Sequence, residues 1–285
     1  MPRTHRYTAF TRDPAGGNPA GVVLDADDLD DARMQDIAAE IGYSETAFAR
    51  AVGPRRYAVR FFSPLAEVAF CGHATIATAV ALAERTGPGE LVFDTRAGEI
   101  AVSTARADGS VRAGLRSVPS SSRPAGSAEL GEALRALRWD LDDLDEAYPP
   151  HVAFAGNDHL VLVARTRQRL ADLDYDFDAL EGVMTERGWT TVQLIWRESD
   201  EVFHSRNPFP VGGVVEDPAT GAAAAAFGGY LRALGAGVDR FLIVQGEDMG
   251  RRSELEVAVD PDDPRVVVTG TAVPIDGRHR DLSRS

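Results

Sequence analysis

The sequence predicts an α+β chain of two similar lobes, each enclosing one helix built from small residues. Three observations carry this. "RFFSPLAEVAF" leads into "CGHATIATAVALAERTG" in the first half, and "HSRNPFPVGGVVEDPA" leads into "TGAAAAAFGGYLRALG" in the second, so one unit occurs twice. Each copy opens its helix pattern on a glycine (Gly72, Gly221) and closes it on another (Gly87, Gly235). The helix bodies are Ala, Gly, Thr and Val with almost no charge before the last turn, and a helix without a polar face has to be enclosed. Such a helix is either threaded along the axis of a curved sheet or barrel, where small side chains let the strands come close, or buried between ordinary α/β layers.

In chain order, "YTAFT" (7–11) and "GVVLDA" (21–26) read as strands joined by "RDPAGGNPA", whose Gly-Gly and Asn-Pro mark turns. Met34, Ile37, Ala38 and Ile41 recur at i, i+3, i+4 and i+7, one stripe of a helix that Gly42 stops. "SETAF" (44–48) then opens an apolar run on a carboxylate. Segments 57–63, 90–95, 99–105 and 110–118 are β-branched or alternating and read as strands. "PSSSRPAGSA" (119–128) has no apolar period and reads as a linker, placing the first lobe at 1–118 and the second at 129–275. Beyond it a short helix (129–138), strands near 151–155 and 159–165, helical stretches within 167–188, and strands at 190–197 and 201–206 follow. "RFLIVQG" (240–246), "ELEVAVD" (254–260) and "RVVVTGTAV" (265–273) are the last strands.

Composition narrows the function. Of 285 residues, 44% are hydrophobic and 26% charged, and 30 Lys+Arg against 44 Asp+Glu leave a net charge of −14. That sign repels phosphate backbones and anionic lipid surfaces, so nucleic acid and membrane are poor partners. No apolar stretch is long enough to span a bilayer, and "MPRTHRYTAFTRD" has no apolar leader core. With a single cysteine no internal disulfide forms and no zinc-site spacing occurs. The expectation is a cytoplasmic protein.

The two glycine-led helix starts are the chemically useful features. The first N–H groups of a helix have no internal partner and carry partial positive charge, so an enclosed start suits an anion. Two of them would grip a small carboxylate-bearing molecule. Neither a Walker pattern nor G-x-G-x-x-G after a strand is present, so nucleotide binding has no support. Three reactive groups stand beside these starts: Glu45 after the first helix, His73 directly after Gly72, and Asp217 four positions before Gly221. Each also has a plain structural reading, as a solvated cap, a core or capping histidine, and a turn or N-cap aspartate. Their recurrence at related points of both halves favours chemistry. Cys71 reads as a small buried residue beside Gly72.

"GNPAGVVL" (17–24), "SETAF" (44–48), "RFFSP" (60–64), "CGHAT" (71–75), "EDPATG" (216–221) and "QGEDMGR" (245–251) together resemble the PhzF-like proteins, named for the phenazine-biosynthesis isomerase. The likeness runs from about residue 5 to about residue 275. It implies the diaminopimelate epimerase-like fold: two pseudo-symmetric lobes, each a mixed sheet or barrel rolled around a central helix, with the active site in the cleft between them and the last strand free to return to the first lobe. It also implies a homodimer that needs no cofactor. By resemblance Glu45 is the acid/base that moves a proton between carbons of a small amino- or hydroxy-acid. A carboxyl held out of water favours its protonated, proton-donating form. By the same analogy Asp217 and His73 hold and polarise the substrate, Gly72 and Gly221 offer N–H groups to its carboxylate, and Asn18, Ser44 and Thr220 line the site. The family often has Ser where this chain has Ala222, which removes a donor worth about 1.5–3 kcal/mol to a charged group and points to a substrate other than that of the phenazine isomerase. The rival chemistry is epimerisation or racemisation. A thiol pair is excluded with one cysteine, whereas a carboxylate pair or a purely binding protein stays open.

Overall fold

The computed structural model describes residues 3–275, so residues 1 and 2 of the expected first lobe lie outside it. The chain divides into two compact units, Met1–Arg116 with Thr269–Ser285, and Ser117–Val268. In the first, β1 (Thr4–Ala9), β2 (Asn18–Val23), α1 (Asp31–Ile41), β3 (Glu45–Gly53), β4 (Arg56–Phe62), β5 (Glu67–Val68), α2 (Gly72–Thr86), β6 (Gly89–Thr95), β7 (Gly98–Ala107) and β8 (Ser110–Arg116) follow one another. The predicted stripe sets α1: Met34, Ile37 and Ala38 are buried against Val23, Phe48 and Phe62. The Asp30 side chain accepts from the Arg33 N–H at its start, and Gly42 ends it at φ 72°.

The second unit holds β9 (Ser121–Pro124), α3 (Ser127–Leu137), β10 (His151–Phe154), β11 (Asp158–Val163), α4 (Arg167–Ala171), α5 (Phe177–Arg187), β12 (Trp189–Arg197), β13 (Val202–Phe209), β14 (Val214–Asp217), α6 (Gly221–Ala233), β15 (Arg240–Gln245) and β16 (Ser253–Val259). Leu134 and Leu137 of α3, Leu170 of α4 and Leu180 of α5 cover one face of its sheet, made of Leu160, Leu162, Val192 and Leu194. Phe203 turns the other way, onto Phe227 of α6, with ring centroids 5.1 Å apart. The last strand, β17 (Val266–Pro274), starts in the second unit and runs into the first.

Strand pairing repeats in both units. In the first, β1 and β2 are antiparallel, β2 and β3 parallel across α1, β3 and β4 antiparallel, β4 and β6 parallel across α2, then β6 and β7 antiparallel. In the second, β10 to β11, β11 to β12, β12 to β13, β13 to β15 and β15 to β16 follow the same antiparallel, parallel, antiparallel, parallel, antiparallel series. The small strands β5 and β14 each hang on the strand that precedes the central helix. β8 pairs with β7 and β17, and β17 returns to β1, so eight strands of the first unit close into a barrel. α2 packs against β1, β2, β3, β7 and β8 and is buried without a break from His73 to Ala83. α6 is buried from Ala223 to Leu231 among β9, β10, β11 and β16. The threaded arrangement, rather than flat layers, therefore holds.

The stretch 119–128 is not a plain linker. Ser121–Pro124 is β9, antiparallel to β10, and α3 already starts at Ser127. Its residues alternate no apolar side chains because the strand is mostly exposed, so pairing makes it a strand and periodicity cannot reveal it. The division between units falls after Arg116.

Two glycines in helices test how tightly α6 is held. A Cβ on Gly229 would sit 2.4 Å from Ser120 Oγ and 2.7 Å from its Cβ. That hydroxyl is itself tied to the Pro264 carbonyl and to Arg232. On Gly182 of α5 a Cβ meets nothing within 4 Å. Alanine in a helix gains about 1 kcal/mol over glycine, so Gly182→Ala is expected to stabilise by about 0.5–1 kcal/mol. At Gly229 overpacking of about 1–3 kcal/mol outweighs that gain, and Gly229→Ala is expected to destabilise. Denaturant midpoints moving in the same direction for both would contradict this.

Candidate active site

Strand order brings three separate stretches to one end of the first unit. β2 and β3 run parallel with Ala20 opposite Glu45, so Asn18 and Glu45 stand on one face near the starts of both strands. β4 is antiparallel to β3 with Phe62 opposite Thr46, and the chain leaving β4 leads through β5 into α2. Glu45, Asn18 and the α2 start thus meet at the same end of the barrel. The α2 cap residue is Cys71, whose side chain makes no cap hydrogen bond, and this leaves the helix start to its backbone N–H groups.

The side chains there touch one another. Glu45 Oε2 lies 3.4 Å from His73 Nε2, and the two side chains are 21% and 7% exposed. Cys71 Sγ donates to Glu45 Oε2 at 3.4 Å and sits 3.4 Å from His73 Nδ1. Ser44 Oγ is 3.4 Å from His73 Nε2. Asn18 is 2% exposed. Cys71 is therefore more than the small filler its sequence setting suggests, because its thiol contacts both the carboxylate and the imidazole.

In the second unit the α6 start is built on a polar frame. Thr220, the cap residue, turns its hydroxyl back to Asp217 Oδ2 at 2.5 Å instead of capping the helix. Gln245, at the end of β15, accepts from the Thr220 N–H and donates to the Asp217 carbonyl and the Thr220 hydroxyl. The pair Arg206 and Glu216 anchors β14 from behind. Arg206 Nε donates to Glu216 Oε2 at 3.0 Å, Nη2 to Oε1 at 2.5 Å, and Nη1 to the Ala171 carbonyl at 2.7 Å. Gly221 and Ala222 form the first turn of α6, and Ala222 brings no hydroxyl to it.

Residues 7–277 match the family model described as phenazine biosynthesis-like protein. The chain belongs to that family. Relatives 31–33% identical carry isomerase names. One, trans-2,3-dihydro-3-hydroxyanthranilate isomerase of Pseudomonas chlororaphis, is 33% identical over 87% of this chain and 88% of its own. Another, an uncharacterized isomerase of Clostridium acetobutylicum, is 32% identical over 94% of each chain. A predicted epimerase of Pseudomonas aeruginosa shares the structure at TM-score 0.84 and 26% identity, covering 96% of this chain and 97% of that one. This family member is an isomerase with the α+β, diaminopimelate epimerase-like fold of two pseudo-symmetric lobes. Among the described residues no helix is long and apolar enough to cross a membrane.

Within this phenazine biosynthesis-like chain the duplication also identifies residues that local reading missed. The forked pairs Arg60–Glu67 and Arg206–Glu216 mark equivalent points of the two units; on β3 Phe48 faces Arg60, and on β12 Leu194 faces Arg206. On the parallel neighbours Ala20 faces Glu45 and His159 faces Thr191. Thr191, three positions before Leu194 as Glu45 is before Phe48, therefore stands where Glu45 does, and Asn157, after Gly156, where Asn18 does after Gly17. Gln193 is wholly buried and neither of its amide atoms has a protein partner. His159, wholly buried, bonds Thr191 Oγ1 through Nδ1, and burial pushes its pKa down to about 4, keeping it neutral. One copy carries an acid and the other a hydroxyl. The local sequence gives no sign of this, because only strand register aligns "ETAF" (45–48) with "TVQL" (191–194).

Proposed function

We propose that this isomerase moves a proton, and with it a double bond, within a small carboxylate-bearing amino- or hydroxy-acid, Glu45 serving as general base and then general acid. The contact set of Glu45, His73, Cys71 and Ser44 beside an uncapped helix start carries the reading. The carboxylate takes a proton from one substrate carbon while the C–H electron pair enters the new double bond. The resulting carboxyl returns the proton to another carbon. His73, 3.4 Å from that oxygen, stands within reach to polarise the substrate's amine or hydroxyl, apo contacts of this kind being commonly loose. The N–H groups at the α2 start, Gly72 first, receive the substrate's carboxylate, with Asn18 and Ser44 as polar lining, in keeping with anion binding at helix starts. The bare methyl of Ala222 argues for a substrate other than that of the hydroxyanthranilate isomerase. Racemisation by two matched carboxylates loses support because the counterpart of Glu45 is Thr191. A cytoplasmic homodimer belongs to the same reading.

Asp217 is assigned to binding. Asp217→Ala removes a charged hydrogen-bond acceptor, and affinity for the substrate is expected to fall about tenfold or more, in line with about 1.5–3 kcal/mol. The bond from Thr220 Oγ1 is lost with it, and loss of about 1 kcal/mol moves the thermal midpoint of a chain of this size by about 2–4 °C. A large drop in midpoint with unchanged affinity, read by calorimetry, would return Asp217 to the role of a turn residue. The substrate class itself is found by screening carboxylated dienes, hydroxy-acids and amino acids for deuterium wash-in.

A further inference from the structure

We propose that Glu45, Cys71 and His73 form a capture site for a thiophilic divalent cation, Zn²⁺ above all, and that the ion silences the enzyme when it binds. Among the described residues these three form a group whose ligand atoms all lie within 4.8 Å of one another. The distances are more telling than the proximity. Zn–O, Zn–N and Zn–S bonds of about 2.0–2.3 Å at tetrahedral angles separate neighbouring donors by about 3.3–3.6 Å. Here Sγ to Oε2 is 3.4 Å, Nε2 to Oε2 is 3.4 Å and Sγ to Nε2 is 3.8 Å. Three donors thus lie within a few tenths of an ångström of tetrahedral spacing; because Sγ is nearer Nδ1 (3.4 Å) than Nε2 (3.8 Å), the imidazole turns on capture so that its lone pair meets the ion.

The donor chemistry agrees. Thiolate, imidazole and carboxylate together suit Zn²⁺ over the hard cations Mg²⁺ and Ca²⁺, which take oxygen ligands. All three side chains are buried or nearly so, so few water contacts have to be surrendered. The partial positive charge at the α2 start opposes a bare cation, but it favours the thiolate over the thiol. A dication with one thiolate and one carboxylate is neutral overall. On binding, the Cys71 proton leaves to solvent, the sulfur and Nε2 lone pairs and one carboxylate oxygen go to the metal, and the fourth position stays for water or Ser44, whose Oγ is 3.4 Å from Nε2. Inhibition rests on the role proposed for Glu45, since the ion occupies the oxygen that moves the proton; capture does not.

Cobalt(II) added to the full-length protein in chelator-free buffer with a non-thiol reductant is the test. One equivalent is expected to produce a thiolate-to-cobalt charge-transfer band, and Zn²⁺ is expected to displace it. Zn²⁺ should raise the thermal midpoint, as any ligand of the folded state does. Cys71→Ser and His73→Gln, with circular dichroism confirming the fold, should each abolish the band or weaken Zn²⁺ binding by at least tenfold. A missing band in the wild-type protein, or Zn²⁺ affinity unchanged in both variants, overturns the site. Zn²⁺ bound at one equivalent with full proton exchange upholds the capture site and overturns its silencing effect together with the role given to Glu45. Exchange lost in Glu45→Gln with no metal bound to wild type overturns the capture site alone.

Discussion

Glu45→Gln is expected to lower proton exchange between substrate and solvent by about 10²–10⁴-fold, the range that a positioned acid/base supplies, while stability and substrate affinity change little. The amide keeps the shape of the carboxyl and can still meet Cys71 Sγ and His73 Nε2, each 3.4 Å from Oε2. What it cannot do is take and return a proton. Deuterium wash-in followed by mass spectrometry reads the loss directly. Native exchange in a folded Gln variant would end the assignment, and the duplicated unit supplies a control. Thr191→Glu places a carboxylate at the matching position of the second unit, where Thr191 is 1% exposed, so it is expected to destabilise the protein and to leave the exchange defect of Glu45→Gln uncorrected.

Arg206→Met carries the second large effect. Arg206 and Glu216 form a forked pair with side chains 11% and 6% exposed, and Arg206 also holds the Ala171 carbonyl. Removing one partner leaves the other charge in a low-dielectric setting, with a cost of about 3–5 kcal/mol. Methionine fills much of the volume, so the loss reports charge rather than a cavity. Replacing both partners together, Arg206→Met with Glu216→Leu, should recover most of the stability, because buried ion pairs add little over packed apolar residues. Urea unfolding of the four proteins gives the coupling. A single variant within about 1 kcal/mol of wild type would show that water reaches the pair. Since Glu216 precedes Asp217 on β14, the single variant is also expected to weaken substrate binding more than the double one.

Several features were legible in the sequence for identifiable reasons. α1 announced itself through Met34, Ile37, Ala38 and Ile41 because it is amphipathic, and α2 and α6 through the opposite signal, the lack of any polar face. Glu45, His73 and Asp217 came from motif resemblance joined to the repeated glycine-led starts, and the structure brings Glu45, His73, Ser44 and Cys71 into contact in the first unit and Asp217 with Thr220 in the second. What stayed hidden depends on pairing between distant strands. β9 has no apolar alternation, so only β10 makes it a strand. Gln245 is 28 positions from the Asp217 carbonyl it holds. Arg206 and Glu216 look like two ordinary surface charges until β13 and β14 lie side by side. Cys71 is two residues from His73 but 26 from Glu45, and its thiol gains meaning only when β3 is laid beside the loop that enters α2.

The path of β17 has a consequence for how the protein is made. A ribosome delivers β1 to β8 first, yet the gap between β8 and β1 is filled by the tail of β17, more than 150 positions later. Through most of translation the nascent first unit therefore shows two unpaired strand edges, the kind that invites wrong partners. The earliest-born half is the last to seal, and chaperone dependence should be greatest while the second half is still emerging.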